Sequence, residues 1–284
     1  MKNIDYETVE GFGEEWARFT QNELDEKELQ EHFEKYFKVF NWDKLPINAV
    51  GFDLGCGSGR WAKQVAPRVG KLNCIDASNK ALEVARTNLA ESDNCIFYHA
   101  SVDAIPLEDN SMDFGYSLGV LHHMPNTSAG IQSCVSKLKP GAPFLIYIYY
   151  AFDNKPLWFK AIWKGSDFIR RAVSQMPFPM RAAVCRVIAS AVYFPIARTS
   201  LVLEKVGFNV MNFPLSFYRD TSFYTMKTDA LDRFGTKLEK RFTKKQIIEM
   251  MTRAGLEKIE VSSGTPYWCV IGYKKNDLNQ NGTI

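Results

Sequence analysis

Residues 50–60 read Val-Gly-Phe-Asp-Leu-Gly-Cys-Gly-Ser-Gly-Arg: a short apolar run, an acid, then glycines at every second position before an amphipathic stretch. The pattern predicts a strand, a tight turn and a helix start, an arrangement that cradles a nucleoside-like ligand. Glycine suits such a turn because a Cβ obstructs both positive φ values and close backbone approach. The free N–H groups of the following helix can face a ligand carboxylate. The spacing disfavours a pyrophosphate cradle: Gly55, Gly57 and Gly59 alternate, and Arg60 stands where Gly-x-Gly-x-x-Gly has its third glycine. Downstream, Lys71 to Ile75 reads as a second strand ended by Asp76, where an acid can accept hydrogen bonds from both hydroxyls of a ribose.

Outward from that unit the alternation continues. Strands are predicted over 47–54, 71–75, 95–98, 112–117 and 143–149, with helices over 59–67, 79–90 and 128–138 between them. Strands separated by helical patterns imply a parallel, doubly wound sheet. Before the first strand, Leu29, Phe33, Tyr36, Phe37 and Phe40 recur at helical spacing and predict an amphipathic helix within 25–40 that packs on the sheet or closes the cleft. Near the C-terminus Thr243 caps a helix through Ala254 that Gly255 ends, and strands near 257–262 and 267–273 follow.

Six motifs occur in one order: Phe-Asp-Leu-Gly-Cys-Gly-Ser-Gly (52–59), Ile-Asp-Ala-Ser (75–78), Ile-Pro-Leu (105–107), Ser-Met-Asp-Phe (111–114), Ser-Leu-Gly-Val-Leu-His-His (117–123) and Leu-Lys-Pro-Gly (138–141). On these residues the chain resembles the class I S-adenosylmethionine (SAM)-dependent methyltransferases, in their small-molecule branch, over roughly 45–150. The segment Gly-Phe-Gly-Glu-Glu-Trp-Ala-Arg-Phe (11–19) is also similar to the N-terminal signature of a subset found in bacterial glycan and natural-product pathways. The resemblance implies a Rossmann-like α/β fold, with a seven-stranded, mostly parallel sheet, an antiparallel closing strand and a largely helical insert. It divides the chain into an N-terminal helical cap (1–45), the SAM-binding core (46–150), an insert or lid (151–242), the rest of the core (243–274) and a polar tail (275–284). The cofactor implied is SAM, with S-adenosylhomocysteine as its product.

The composition sets outer bounds. A length of 284 residues suits one large α/β domain with an insertion, and 46% hydrophobic content is ordinary for a globular chain. Cys56, Cys74, Cys95, Cys134, Cys185 and Cys269 are dispersed with no Cys-x-x-Cys pair, which points to neither a disulfide framework nor zinc and is expected of a cytoplasmic protein. The polar start is unlike a signal sequence, and no apolar run reaches the roughly 18 residues expected of a membrane span. Residues 155–205 carry nine Lys or Arg against two acids, a net +7 in a chain whose total is +3. Trp158, Phe159, Ile162, Trp163, Phe168, Ile169, Val187, Ile188, Val192, Tyr193 and Phe194 are interleaved with them. A basic, aromatic, helical insert serves as a substrate lid, a homodimer interface or a peripheral face on anionic lipid. Nucleic acid is disfavoured because no RNA-binding module accompanies the charge.

Methyl transfer from a sulfonium is an in-line displacement in which alignment supplies much of the barrier reduction. A base is needed when the acceptor is an ordinary hydroxyl or a protonated amine. For the cofactor, the resemblance points to Gly55, Cys56 and Gly57 of the turn, to Asp76 and Ala77 at the ribose, and to backbone at Ser117 and Leu118. Asp53 either contacts the methionine end or holds the turn. Ser101 occupies the usual place of the adenine-side acid, so Ser101, the Val102 N–H and Asp103 remain alternatives there. Trp16 and Arg18 are candidates for covering the cofactor. His122 and His123 stand at the mouth of the site as candidate bases, or as cleft-lining residues. Tyr218, Arg219 and Tyr224 lie in the densest aromatic-polar cluster of the insert and are candidates for the acceptor. No metal-ligand spacing occurs.

The reading is a methyltransferase acting on a small-molecule or lipid-linked acceptor, at oxygen, in a glycan or natural-product pathway. Two alternatives are a noncatalytic SAM-binding protein that uses the insert to contact a partner or membrane, and an RNA methyltransferase.

Overall fold

The computed structural model describes residues 2–21 and 23–276. Helices α1 (Tyr6–Arg18) and α2 (Glu26–Tyr36) lead into β1 (Val50–Leu54), and α3 (Arg60–Val65), β2 (Lys71–Asp76), α4 (Asn79–Asn88) and β3 (Cys95–His99) follow. Next come β4 (Phe114–Leu118), α5 (Thr127–Lys137) and β5 (Pro143–Tyr147). The insert holds α6 (Leu157–Val173), α7 (Phe178–Ile188), α8 (Phe194–Lys205) and α9 (Phe223–Gly235). The chain then returns to the sheet through α10 (Lys244–Arg253), β6 (Leu256–Val261) and β7 (Cys269–Lys274). Of the tail, residues 277–284 lie outside the described residues.

The sheet has the order β3-β2-β1-β4-β5-β7-β6. Strands β1 to β5 are parallel, and β7 runs antiparallel to both β5 and β6. Chain order reverses between β1 and β4, which opens a crevice at their carboxyl ends. Alternation along the strands fills both faces. Phe52, Leu54, Ile75, Phe144 and Ile146 pack under α5 and α10, while Leu72, Cys74, Phe114, Tyr116 and Leu145 pack under α2, α3 and α4. Helix α2 therefore covers the sheet with Phe33, and Phe37 and Phe40 continue that contact. Closing the cleft falls to α1 instead.

A third apolar cluster builds the insert. Met226, Ala230, Leu231 and Phe234 of α9 meet Val173, Cys185, Ala189, Tyr193 and Ala197, and Phe19 from the end of α1 joins them. A π-helical turn at Ala189–Tyr193 joins α7 to α8. Phe178–Lys205 thus forms one rod of 28 residues, long and apolar enough by length and composition to cross a membrane. This corrects the sequence expectation that no apolar run reaches such a length: the continuous helix carries the apolar character across Pro179, Pro195 and the interspersed arginines.

The centre of the sheet is locked by a reciprocal exchange. Gly51 of β1 faces Phe114 of β4, and Phe52 faces Gly115 one step on, so each ring lies over a glycine. A Cβ on Gly51 would stand 2.2 Å from the Phe114 ring, and one on Gly115 2.3 Å from the Phe52 ring. Overpacking of this kind costs about 1–3 kcal/mol. Gly115→Ala is therefore expected to lower unfolding free energy in urea by that amount, with an unchanged m-value.

Candidate functional site

The turn after β1 takes its shape from three tethers to β2. The Gly55 and Cys56 N–H groups donate to the Ile75 carbonyl at 2.7 and 3.1 Å, and the Gly57 N–H donates to Asp76 Oδ2 at 2.9 Å. Gly55 and Gly57 have φ of 77° and 55°, values that an L-residue adopts only with strain. A Cβ on Gly55 would lie 2.4 Å from Val120, and one on Gly57 3.0 Å from the Trp16 indole. The other Asp76 oxygen accepts from the Ser78 N–H at 2.8 Å. Burial raises this carboxyl, and the two N–H groups oppose the rise.

In front of this turn lies an open cleft of about 800 Å³, a volume that includes space continuous with solvent. Its walls include Leu54, Ile75, Ala77, Val102, Leu118 and Val120, with Asp76 and Ser101 as polar groups. Phe12 and Trp16 of α1 close it from above, and His123 and Met124 stand at its inner end. The residues fit SAM: an acceptor-only carboxylate at the ribose position, apolar walls for adenine, close backbone at a glycine turn, and aromatic rings toward a sulfonium.

The structure gathers many of the sequence candidates here and sends others elsewhere. Trp16, Gly55, Asp76, Ala77, Ser101, Val102, Leu118 and His123 line the cleft. Arg18, on the outward side of α1, is exposed. Asp53 points to the opposite sheet face beside Tyr116 and is 1% exposed. Burial pushes its carboxyl well up, against the opposing Tyr116 hydroxyl, and Oδ2 makes no hydrogen bond of ordinary geometry. Cys56 is also buried on that face. Ser117 is fully buried, donating its hydroxyl to the Leu54 carbonyl at 2.9 Å, so it ties β4 to the end of β1. Asp103 accepts from the Asn3 N–H, and the Asn3 amide bonds Asn126 in both directions. Asp103 thus anchors an N-terminal strap whose residues Asn3, Ile4 and Asp5 form the cleft rim.

The two histidines have different surroundings. His122 is fully buried against the Tyr149 ring at 3.9 Å, its nitrogens lack partners, and burial pushes its pKa well down. His123 Nδ1 lies 2.7 Å from the Leu238 carbonyl. A carbonyl only accepts, so Nδ1 carries a proton, and in the neutral ring Nε2 is the nitrogen with the lone pair. That Nε2 is buried, without a hydrogen bond, 4.0 Å from Asp232 Oδ1.

Asp232 belongs to a polar recess behind the cleft. Tyr149 donates its hydroxyl to Asp232 Oδ2, and Asp229 stands one turn earlier on α9. Burial raises Asp232, and it raises Asp229 to about 6. The Asp232 side chain keeps 27% of its accessibility while its carboxyl is shielded from bulk water, as expected of an internal recess. Arg60 is the cation whose field reaches Asp229, Asp232 and Glu15. Burial likewise pushes Glu15 well up. Tyr36 and Tyr147, rings 4.9 Å apart, add hydroxyls on the sheet side.

Of the insert candidates, Tyr218 faces Asp229 in this recess. Arg219 Nε is paired with Glu204 at 2.6 Å, which holds the loop to α8 and away from the cleft. The Tyr224 hydroxyl accepts from the Gln21 N–H at 3.1 Å, outside the cleft, and its ring packs on Phe19. Sequence reading passed over Glu15, Arg60, Tyr149, Asp229 and Asp232. The i, i+3 spacing of the two aspartates and the Tyr-Ile-Tyr-Tyr run at 147–150 were the available signals.

Residues 52–146 match a family model described as a methyltransferase domain. The chain is 36% identical over 122 residues to the ubiquinone biosynthesis O-methyltransferase of Nitrosomonas europaea, covering 42% of this chain and 50% of that one. It is 34% identical over 100 residues to phosphoethanolamine N-methyltransferase 2 of Caenorhabditis elegans, covering 34% and 23% respectively. The chain thus spans about half, or less, of the length of these relatives. Among solved structures it is similar to the complex of the Haloferax volcanii Trm112 methyltransferase activator with a putative methyltransferase, at TM-score 0.54 and 12% identity, covering 97% of this chain and all of that one. A likeness at that identity speaks for the fold alone.

The raised Asp229 gives a pH test. Its folded pKa of about 6 exceeds the ordinary 3.8, so its contribution favours folding below about pH 4 and is lost as pH rises through 6. Asp229→Asn is expected to stabilise the protein at pH 7.5 by on the order of 2 kcal/mol. That gain should vanish near pH 4 in urea titrations.

Proposed function

Starting from a core that is a class I SAM-dependent methyltransferase domain, we propose that this chain transfers a methyl group to a hydroxyl of a small or lipid-linked acceptor held between the cleft and the polar recess. The observation that carries the choice of oxygen is the fixed tautomer of His123. Its Nδ1–H is committed to the Leu238 carbonyl, leaving Nε2 free to receive a proton. An ordinary hydroxyl needs such a base, whereas a neutral amine does not.

SAM, when bound, supplies an electrophilic methyl group and a leaving group that is already activated. This chain's residues do the rest. Asp76 holds the ribose hydroxyls, while Leu54, Val102 and Leu118 exclude water from the adenine side. Phe12 and Trp16 cover the cleft. His123 Nε2 receives the acceptor proton, and the Asp232 carboxylate, 4.0 Å away, stabilises the imidazolium that forms. Tyr149 fixes the Asp232 carboxylate by donating to its other oxygen. Arg60, Tyr36, Tyr147 and Tyr218 are assigned to the rest of the acceptor.

The relatives' names speak of ubiquinone and phosphoethanolamine. They draw the proposed acceptor away from the glycan and natural-product pathways suggested by Gly11–Phe19, toward a small polar head, free or carried on a lipid.

Calorimetric titration with SAM and product detection from pools of hydroxylated, amine and RNA acceptors test the reading. Asp76→Ala is expected to weaken SAM binding about 10–100-fold, the loss of hydrogen bonds to a charged group. His123→Asn can keep the donor to Leu238, so SAM affinity should stay near wild type while kcat on the hydroxyl acceptor falls about 10²–10⁴-fold. Undiminished turnover in that variant would overturn the base assignment. SAM binding without turnover on any pool would favour a noncatalytic binder.

A further inference from the structure

Helix α6 departs from an ordinary surface helix. Its inner face sets Val173, buried in the insert core, beside polar groups: Asp167 pairs with Arg170, and Arg170 donates to the Thr236 carbonyl. Its outer face repeats Leu157, Trp158, Ala161, Ile162, Phe168, Ile169 and Ala172 at helical spacing, all exposed, with Leu157 at 83% and Phe168 at 78%. The neighbouring rod of α7 and α8 does the same. It buries Ala182, Cys185, Ala189, Tyr193 and Ala197 in the insert core and exposes Met180, Val187, Phe194, Val202 and Val206. A solvated helix places polar residues on its outer face. Here two helices docked on the same α9 leave theirs apolar, and 13 of the 17 large apolar side chains exposed among the described residues fall within 157–211. Chance scatter does not concentrate them so.

The charges beside these stripes select the occupant. Lys164, Arg186 and Lys205 are exposed, whereas Asp167 and Glu204 are already paired with arginines, Arg171 among them. A second copy related by a two-fold axis would set this basic patch against itself. An anionic lipid surface complements both parts at once, taking the apolar side chains into the acyl boundary and the cations among phosphates. The rod does not cross the bilayer in this fold, because Arg181 and Arg198 hold it to the Gly235, Arg219 and Thr221 carbonyls along its length.

We infer that α6 and the α7–α8 rod form a peripheral docking face for membranes containing anionic phospholipid, on which both helices lie in the plane of the interface. The inference goes beyond the proposed reaction and stands with or without turnover.

Co-sedimentation of the full chain with vesicles, in the absence of cofactor and acceptor, tests it. Vesicles of phosphatidylcholine with about a third phosphatidylserine are expected to pull the protein down, pure phosphatidylcholine at least about tenfold less. Added salt should weaken the binding. Leu157→Glu with Phe168→Glu should abolish it, and Lys164→Glu with Arg186→Glu should weaken it about fivefold or more per cation, given the roughly 1 kcal/mol of each. All four side chains are exposed, so thermal unfolding should stay at the wild-type temperature. Equal binding to both vesicles, or to neither, overturns the inference. So does a dimer in light scattering that the Leu157→Glu and Phe168→Glu pair dissociates, because a second copy would then cover the face.

Discussion

The carboxylate of Asp76 is the joint on which the cleft depends. It stands at the end of β2 and accepts from the Gly57 N–H with one oxygen and from the Ser78 N–H with the other. With the Gly55 and Cys56 N–H groups both on the Ile75 carbonyl, the turn after β1 is fastened to the neighbouring strand at three successive amides. These tethers hold the turn at positive φ values: the backbone donors that would otherwise be unsatisfied are consumed by β2. The same carboxylate lines the cleft and keeps further lone pairs on that side, so one side chain both fastens the turn and offers the ribose contact proposed above.

Burial then separates residues that look alike in sequence. Asp53 and Asp76 end adjacent strands, yet side-chain alternation sends Asp53 into the opposite face with Tyr116, and only Asp76 reaches the cleft. His122 and His123 are neighbours, but the first is sealed against Tyr149 with a depressed pKa, while the second is oriented by a backbone carbonyl. In each pair the residue type suits the chemistry, and its direction decides which one can perform it.

The core was legible because its signals are local. Alternating glycines, a terminal acid and apolar runs separated by helical patterns identify the doubly wound sheet from short windows, and Ser101, Leu118 and His123, which the resemblance implies for the site, line its cleft. The recess was not legible, because it assembles from six separate segments: Glu15 from α1, Tyr36 from α2, Arg60 from α3, Tyr147 and Tyr149 from β5 and just beyond it, Tyr218 from the loop before α9, and Asp229 and Asp232 from α9. Nothing within a window of the chain records that these meet. Arg219 shows the converse. Its aromatic surroundings in sequence suggest a pocket, while a carboxylate at Glu204, distant in sequence, takes its charge. Similarly, the apolar character of α6 is plain from composition, but only packing reveals which face is left outward.

Helix α9 connects the two halves of the functional argument. Thr225, Asp229 and Asp232 form one polar stripe along it, meeting Glu28, Tyr218 and Tyr149 in turn. Met226, Ala230, Leu231 and Phe234 belong to the apolar cluster that carries the other insert helices. The carboxylates of the polar recess and the scaffold of the outer helices are thus sides of one helix. Arg170 and Arg181 reinforce it by donating to the Thr236 and Gly235 carbonyls at its C-terminal end, where the helix dipole favours cations. Arg170 and Arg181 thus fasten α6 and α7 to the same helix that carries Asp232, whose Oδ1 lies 4.0 Å from His123 Nε2.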